Sequence, residues 1–128
     1  MPTFTIFKDY TFAAAHLIRG HQGKCRHMHG HNYRVRVHVA AEELDGIGMV
    51  VDFADLKRVV GEVLGPFDHR VINDIPPFDE ERNTTAEEIA RYAFEEVERR
   101  LRDEEGGRVQ VRKVEVWEND TACATYEP

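Results

Sequence analysis

The chain is poor in cysteine: Cys25 and Cys123 are the only two, far apart in sequence. In a reducing compartment such a pair reads as two free thiols, not as a disulfide framework. No apolar run comes near the ~20 residues that a membrane-spanning helix needs. The opening stretch, MPTFTIFKDYTF, is polar and alternating where a secretion signal carries an apolar block. A cytoplasmic protein without a membrane partner is expected. Basic charge is scarce too. Against 24 Asp and Glu stand 17 Lys and Arg, for a formal net charge of −7. That excess argues against nucleic acid as a partner, because phosphate backbones are bound by basic faces. A small phosphorylated ligand stays open, since a few local cations can hold one. Internal repeats and low-complexity tracts are absent. A composition of 41% apolar and 32% charged residues over 128 positions suits one core, and so one domain over 1–128.

Hydrophobic periodicity is abundant. From residue 3 to 16 the apolar positions alternate: Phe4, Ile6, Tyr10, Phe12, Ala14 and His16 share a parity in which Lys8 is the only charge. This is the pattern of a half-buried strand whose inward face ends at His16. Residues 17–28 hold two glycines and no period, and form a loop. A second strand follows, with His29, His31, Tyr33, Val35, Val37 and Val39 on one face and Asn32, Arg34, Arg36 and His38 on the other. Asp52 can cap a helix carrying Phe53, Leu56, Val59, Val60, Val63 and Leu64, stopped by Gly65-Pro66. The long proline-bearing connection at 66–83 is of the kind that is often functional. Thr84 and Thr85, ahead of Glu87 and Glu88, give a capping box in two registers. A second helix then carries Ile89, Ala90, Ala93, Phe94, Val97 and Leu101 to Gly106-Gly107. Val109 and Val111 differ in parity from Val114 and Val116, which predicts a bulge near Arg112–Lys113. A last strand over 121–126 returns across a turn at Glu118–Asp120. The order ββααββ implies an α+β fold, a four-stranded antiparallel sheet with two helices on one face. Its other face, with Arg34, Arg36 and His38, is either solvated or covered by other subunits.

Between positions 25 and 31 stand Cys25, His27, His29 and His31. A His-x-His pair on a strand turns both rings to one face, and His16 supplies a third if the first two strands are antiparallel neighbours. Three imidazoles with a fourth position open is the catalytic zinc arrangement. Hydrogen-bonded core histidines are the alternative. His21 and His27 fall in the loop, and His38 faces away. Cys25 lies between Lys24 and Arg26, cations that favour the reactive thiolate. Asp68-His69 can supply an orienting carboxylate and a proton acceptor. Glu118 is either solvated at its hairpin or free to accept two parallel N–H bonds from a guanidine-like ring edge.

Taken together, FKDYTFAAAH, KCRHMHGHNY, VVDFADLK, FDHRVINDIP, TAEEIA and WENDTACATY resemble the 6-pyruvoyl-tetrahydropterin synthase family in its own order and over nearly the whole chain. The three-residue gap between Cys25 and His29 is similar to its bacterial 6-carboxy-tetrahydropterin branch, which belongs to the queuosine pathway. The resemblance implies zinc on His16, His29 and His31, a Cys25, Asp68 and His69 proton-transfer set, and Glu118 as the pterin anchor. It also implies the tunnelling fold, in which sheets of several subunits join into a barrel lined by Arg34, Arg36 and His38. The family is commonly a homohexamer of two trimers with active sites between chains. The implied reaction takes dihydroneopterin triphosphate to 6-carboxy-tetrahydropterin, releasing acetaldehyde and triphosphate; charge and location, not the resemblance, point to Lys24, Arg19 or Arg70 for the phosphates. A pyruvoyl product, a different dihydropterin, a binding module without catalysis and hydrolysis by zinc-bound water are the rival functions. The chain departs from the family pattern at Thr84, usually proline, at Asn119, usually threonine, and at Phe67, usually leucine. PPFDEERN is longer than usual.

Overall fold

The structure, a computed structural model, describes residues 2–128. Strand β1 (Phe4–His16) pairs antiparallel with β2 (His29–Ala41) along its whole length, in a register that sets His16 opposite His29 and Ala14 opposite His31. Strand β4 (Gln110–Asn119) flanks β2, and β5 (Ala122–Tyr126) closes that edge. The sheet has five strands, where four were expected. The extra one, β3 (Arg70–Val71), runs parallel to β1 at Ala14 and Ala15. Two residues carry no readable alternation, so this strand is visible only once the 66–83 connection has folded against β1.

Helix α1 (Phe53–Leu64) starts where Asp52 Oδ1 accepts the Ala54 N–H at 2.7 Å. It passes at Gly65–Phe67 into a 3-10 turn with Pro66 in its first positions. In helix α2 (Ala86–Glu105) the second register of the capping box wins: Thr85 is the N-cap and its hydroxyl accepts from the Glu88 N–H. Thr84, released from capping, is fully buried. Gly106 ends the helix at φ 67°, a conformation that glycine adopts freely.

All six apolar α2 residues named from the periodicity are buried, and so are Leu56, Val59, Val60, Val63 and Leu64 of α1. They meet Val35, Val37, Val39, Val114 and Val116 from the inner face of the sheet in one core. Phe53 alone of the α1 stripe stays exposed. The expected bulge occurs: the β2–β4 register shifts between His38 and Val39, leaving Arg112 unpaired, so that valines of both parities face inward. On the outer face, Arg36 holds Asp9 through two bonds of 2.8 and 3.0 Å, and His38 meets Glu115 at 2.8 Å. Arg34 lies over Trp117 at 4.2 Å. No helix among the described residues is long and apolar enough to cross a membrane. Cys25 and Cys123 are both free thiols.

Candidate metal centre

The β1–β2 register turns three imidazoles inward at one end of the sheet. Ring centroids lie 4.6 Å apart for His16 and His29, 5.1 Å for His16 and His31, and 4.9 Å for His29 and His31. One nitrogen from each comes within 4.8 Å of the others, near enough to share an ion. The remaining nitrogens show which atoms are free. His16 Nδ1–H donates to the Thr84 carbonyl at 2.8 Å, and His29 Nδ1–H donates to the His27 carbonyl at 2.7 Å. A carbonyl can only accept, so in the neutral form of either ring the lone pair is on Nε2. His16 Nε2 and His31 Nε2 are buried without a partner among the described residues. Burial also lowers the pKa of His16 and His31, against the opposing pull of Glu118, and favours the neutral rings a metal requires. Buried polar atoms in native chains are normally satisfied. Two orphaned ring nitrogens aimed at one point fit a bound metal ion better than hydrogen-bonded core histidines.

Glu118 reaches this cluster because it continues the inward parity of Val114 and Val116. The β4–β5 register slips at this residue, pairing Trp117 with Cys123 and then Asn119 with Ala122. Its Oε2 lies 3.6 Å from His31 Nε2, too long for a hydrogen bond, and a neutral ring makes no ion pair. The carboxylate therefore remains available to a ligand. Asn119 is occupied otherwise, its Oδ1 accepting both the N–H and the hydroxyl of Thr121 at the turn. Tyr33 lies beneath the cluster, edge-on to His16 and His31. Its buried hydroxyl has no partner among the described residues, and burial, with the Glu118 charge, pushes its pKa up. Nothing in the alternation distinguishes Tyr33 from an ordinary core aromatic.

Asp68 and His69 form a pair against the edge of β1. Asp68 Oδ1 accepts the Ala13 N–H at 3.0 Å and stands 3.0 Å from His69 Nδ1, while the His69 N–H donates to the Ala13 carbonyl at 2.6 Å. The Ala13 N–H, with His69, holds the Asp68 carboxyl below the usual carboxylate range. His69 has φ 58°, a strained backbone for a residue with a Cβ, and its side chain is 82% exposed. Cys25 lies half-buried in a 3-10 turn at Lys24–Arg26, its carbonyl accepting the Ile18 N–H at 2.7 Å. Among the described residues no hydrogen bond joins its thiol to Asp68 or His69. The fold of one chain thus assembles the three histidines with Glu118, and leaves the thiol and the Asp-His pair as separate pieces.

Of the cations considered for phosphates, Arg19 is engaged elsewhere: its guanidinium donates to the Phe78 carbonyl at 2.9 Å and the Arg82 carbonyl at 2.5 Å. The sequence pattern also did not mark Thr84 as a partner of His16, or Asn73 and Asn83 as partners of Leu17 and Arg19 beside it. Asparagines in a polar loop have no periodicity, and Thr84 read as a cap.

Comparison with known proteins agrees with this architecture. The family model described as 6-pyruvoyl tetrahydropterin synthase matches residues 5–128. A Haemophilus influenzae protein named 6-carboxy-5,6,7,8-tetrahydropterin synthase is 34% identical, with 97% of this chain and 99% of that protein covered. A Bacillus subtilis protein of the same name is 35% identical, with 98% and 86% covered. Among solved structures, the Caenorhabditis elegans 6-pyruvoyl tetrahydropterin synthase superposes with a TM-score of 0.83 at 30% identity, covering 100% of this chain and 97% of that one. A match of this extent, on a chain whose β1–β2 register gathers the three histidines, means that it belongs to the 6-pyruvoyl tetrahydropterin synthase family, with that family's tunnelling fold.

Proposed function

We propose that this protein is a zinc-dependent 6-carboxy-tetrahydropterin synthase of the cytoplasm. It would convert 7,8-dihydroneopterin triphosphate and one water to 6-carboxy-tetrahydropterin, acetaldehyde and triphosphate. The observation that carries this proposal is the cluster of His16, His29 and His31, with two buried unpartnered nitrogens and the Glu118 carboxylate 3.6 Å from His31. The relatives named for this reaction support it, as does the short gap between Cys25 and His29.

His16, His29 and His31 would hold the zinc, which when bound would supply Lewis acidity toward the hydroxyls of the substrate side chain. Glu118 anchors the pterin, its two carboxylate oxygens accepting parallel N–H bonds from the guanidine-like ring edge. Cys25, as the thiolate, takes a proton from the side chain. Asp68 accepts from His69 Nδ1–H, so His69 Nε2 is left to receive or return a proton. No nucleotide cofactor is needed, because the side chain is oxidised while the ring of the same molecule is reduced.

Asp68 and His69 are not bonded to Cys25 within one chain, and this favours an active site completed by another copy. The edges suit such joining: β3 covers only Ala14 and Ala15 of the thirteen-residue β1, and the short β5 is the opposite edge. Copies joined edge to edge would close into a barrel lined by Arg34, Arg36 and His38, with two trimers forming a homohexamer.

The likeness to a solved 6-pyruvoyl enzyme keeps a second product in view. Mass spectrometry after incubating zinc-loaded protein with dihydroneopterin triphosphate separates the two. The proposal expects 6-carboxy-tetrahydropterin and acetaldehyde. A pyruvoyl product would transfer the protein to the other branch, and unchanged substrate with zinc bound would refute both.

A further inference from the structure

His16 is the histidine of the cluster with no solvent exposure at all. Its ring is held by a single atom, the Thr84 carbonyl oxygen, which accepts from Nδ1–H at 2.8 Å. Thr84 precedes the N-cap of α2 and belongs to no ladder that would fix its carbonyl. Side chains fix it instead. The Thr84 hydroxyl donates to the Leu17 carbonyl at 2.8 Å, and the Thr84 N–H donates to Asn83 Oδ1 at 3.0 Å. Leu17 is the residue that follows His16, so the hydroxyl ties the carbonyl to the backbone of the histidine it orients.

Two asparagines hold both sides of this contact. Asn73 accepts the Leu17 N–H at 2.9 Å and donates to the Leu17 carbonyl at 3.0 Å. Asn83 accepts the Arg19 N–H at 3.1 Å and donates to the Arg19 carbonyl at 2.8 Å. Each amide acts as a one-residue strand neighbour and prolongs the paired edge of β1 beyond His16. Between the two gripped residues, the Ile18 N–H donates to the Cys25 carbonyl. The same splint borders the metal ligand on one side and the thiol loop on the other.

We propose that Thr84, held in place by Asn83 and by the Leu17 carbonyl that Asn73 also grips, is a positioning residue of the metal centre: its carbonyl sets the tautomer and orientation of His16, and its hydroxyl holds that carbonyl against the end of β1. This inference rests on the histidines being a metal site. A bond to the second ring nitrogen fixes which nitrogen faces the ion, and its loss typically costs about 10- to 100-fold in metal affinity.

Thr84→Val removes the hydroxyl at nearly constant volume. It leaves no orphaned acceptor, because the Leu17 carbonyl still receives Asn73 Nδ2, so the variant should fold. Zinc affinity is measured by competition with a chromophoric chelator, alongside the visible spectrum of the cobalt-loaded protein and thermal unfolding of the metal-free form. The expected result is zinc binding about tenfold weaker in Thr84→Val, an altered cobalt spectrum, and near-native behaviour of Thr84→Ser. Unchanged zinc affinity and spectrum in Thr84→Val overturn the positioning role while leaving the metal site intact. Absence of zinc binding by the parent protein overturns the metal site itself. Should Thr84→Val fail to fold, Asn83→Ala, which frees the Thr84 N–H and Arg19, carries the same test, and unchanged zinc affinity there overturns the proposal.

Discussion

Tyr33→Phe should stabilise this protein, although most substitutions at fully buried positions destabilise. The ring has no exposure, stacks on Phe12 at 5.0 Å and meets His16 and His31 edge-on. Its hydroxyl is buried without an acceptor, and burial together with the Glu118 charge keeps it protonated. Leaving such a group unsatisfied costs about 1–3 kcal/mol. Phenylalanine removes the group and keeps the ring, so the packing lost is a few contacts of one oxygen, at ~0.1–0.2 kcal/mol each. The net gain is about 1–2 kcal/mol. At roughly 3–5 °C per kcal/mol for a chain of this size, the unfolding midpoint should rise by about 3–10 °C. Thermal and urea unfolding of the metal-free protein measure this, provided the urea m-value is unchanged. A loss of about 1 kcal/mol or more would refute the reasoning, because it would mean that the hydroxyl has a partner in water or in a neighbouring copy. A gain in stability accompanied by a fall in turnover would mark an unsatisfied group retained for the site at the expense of the fold.

Cys25→Ala should keep its zinc and lose turnover by about 10²- to 10⁴-fold; activity at the parent level would remove the thiol from the mechanism. His31→Ala should purify almost without zinc by elemental analysis, and full metal content would overturn the ligand set. Glu118→Gln should weaken pterin binding by roughly 10- to 100-fold, the equivalent of one charge-assisted hydrogen bond, with zinc affinity unchanged. A pterin titration identical to the parent's places the anchor elsewhere. His16 and His31 are held below the ordinary 6.5, mainly by burial. Below that pH the unfolded chain takes up protons that the folded one refuses. The stability of the metal-free protein should therefore be full above pH 6.5 and fall as the pH drops through the folded values. The slope is at most ~1.4 kcal/mol per pH unit for each histidine. Urea midpoints between about pH 7.5 and 5 measure it, and a flat profile would contradict two rings that folding keeps neutral.

Much of the architecture was legible in the chain because each long element carries its own period. Phe4 to His16 and His29 to Val39 alternate over enough residues to define a face, and the parity break after Val111 located the bulge at Arg112. The two helices carry caps as well as stripes, and the buried residues of α2 are those that the stripe names. Strand β3 was not legible: Arg70 and Val71 are a strand only because Ala14 and Ala15 lie beside them. The choice between Thr84 and Thr85 as cap was likewise open, since both satisfy the box. What decided it is that His16 and Leu17 both bond to Thr84.

The candidate site divides along the same line. The chain by itself determined which side chains face inward along the long strands, because strand parity is a local property: it puts His29, His31 and Tyr33 on the core face, whereas Glu118 read as part of the hairpin turn and joins Val114 and Val116 only because β4 runs on to Asn119. Only the tertiary structure decided that these faces meet. The antiparallel register brings His16 opposite His29, and the slip in β4–β5 brings Glu118 to within 3.6 Å of His31. Which nitrogen each ring leaves free was decided there too, since the acceptor for His16 comes from Thr84, 68 positions away. Hydrogen bonds between such distant residues leave no period in the chain. They form only once folding brings buried polar atoms within reach of partners, and the two ring nitrogens left without one lie together in the histidine cluster.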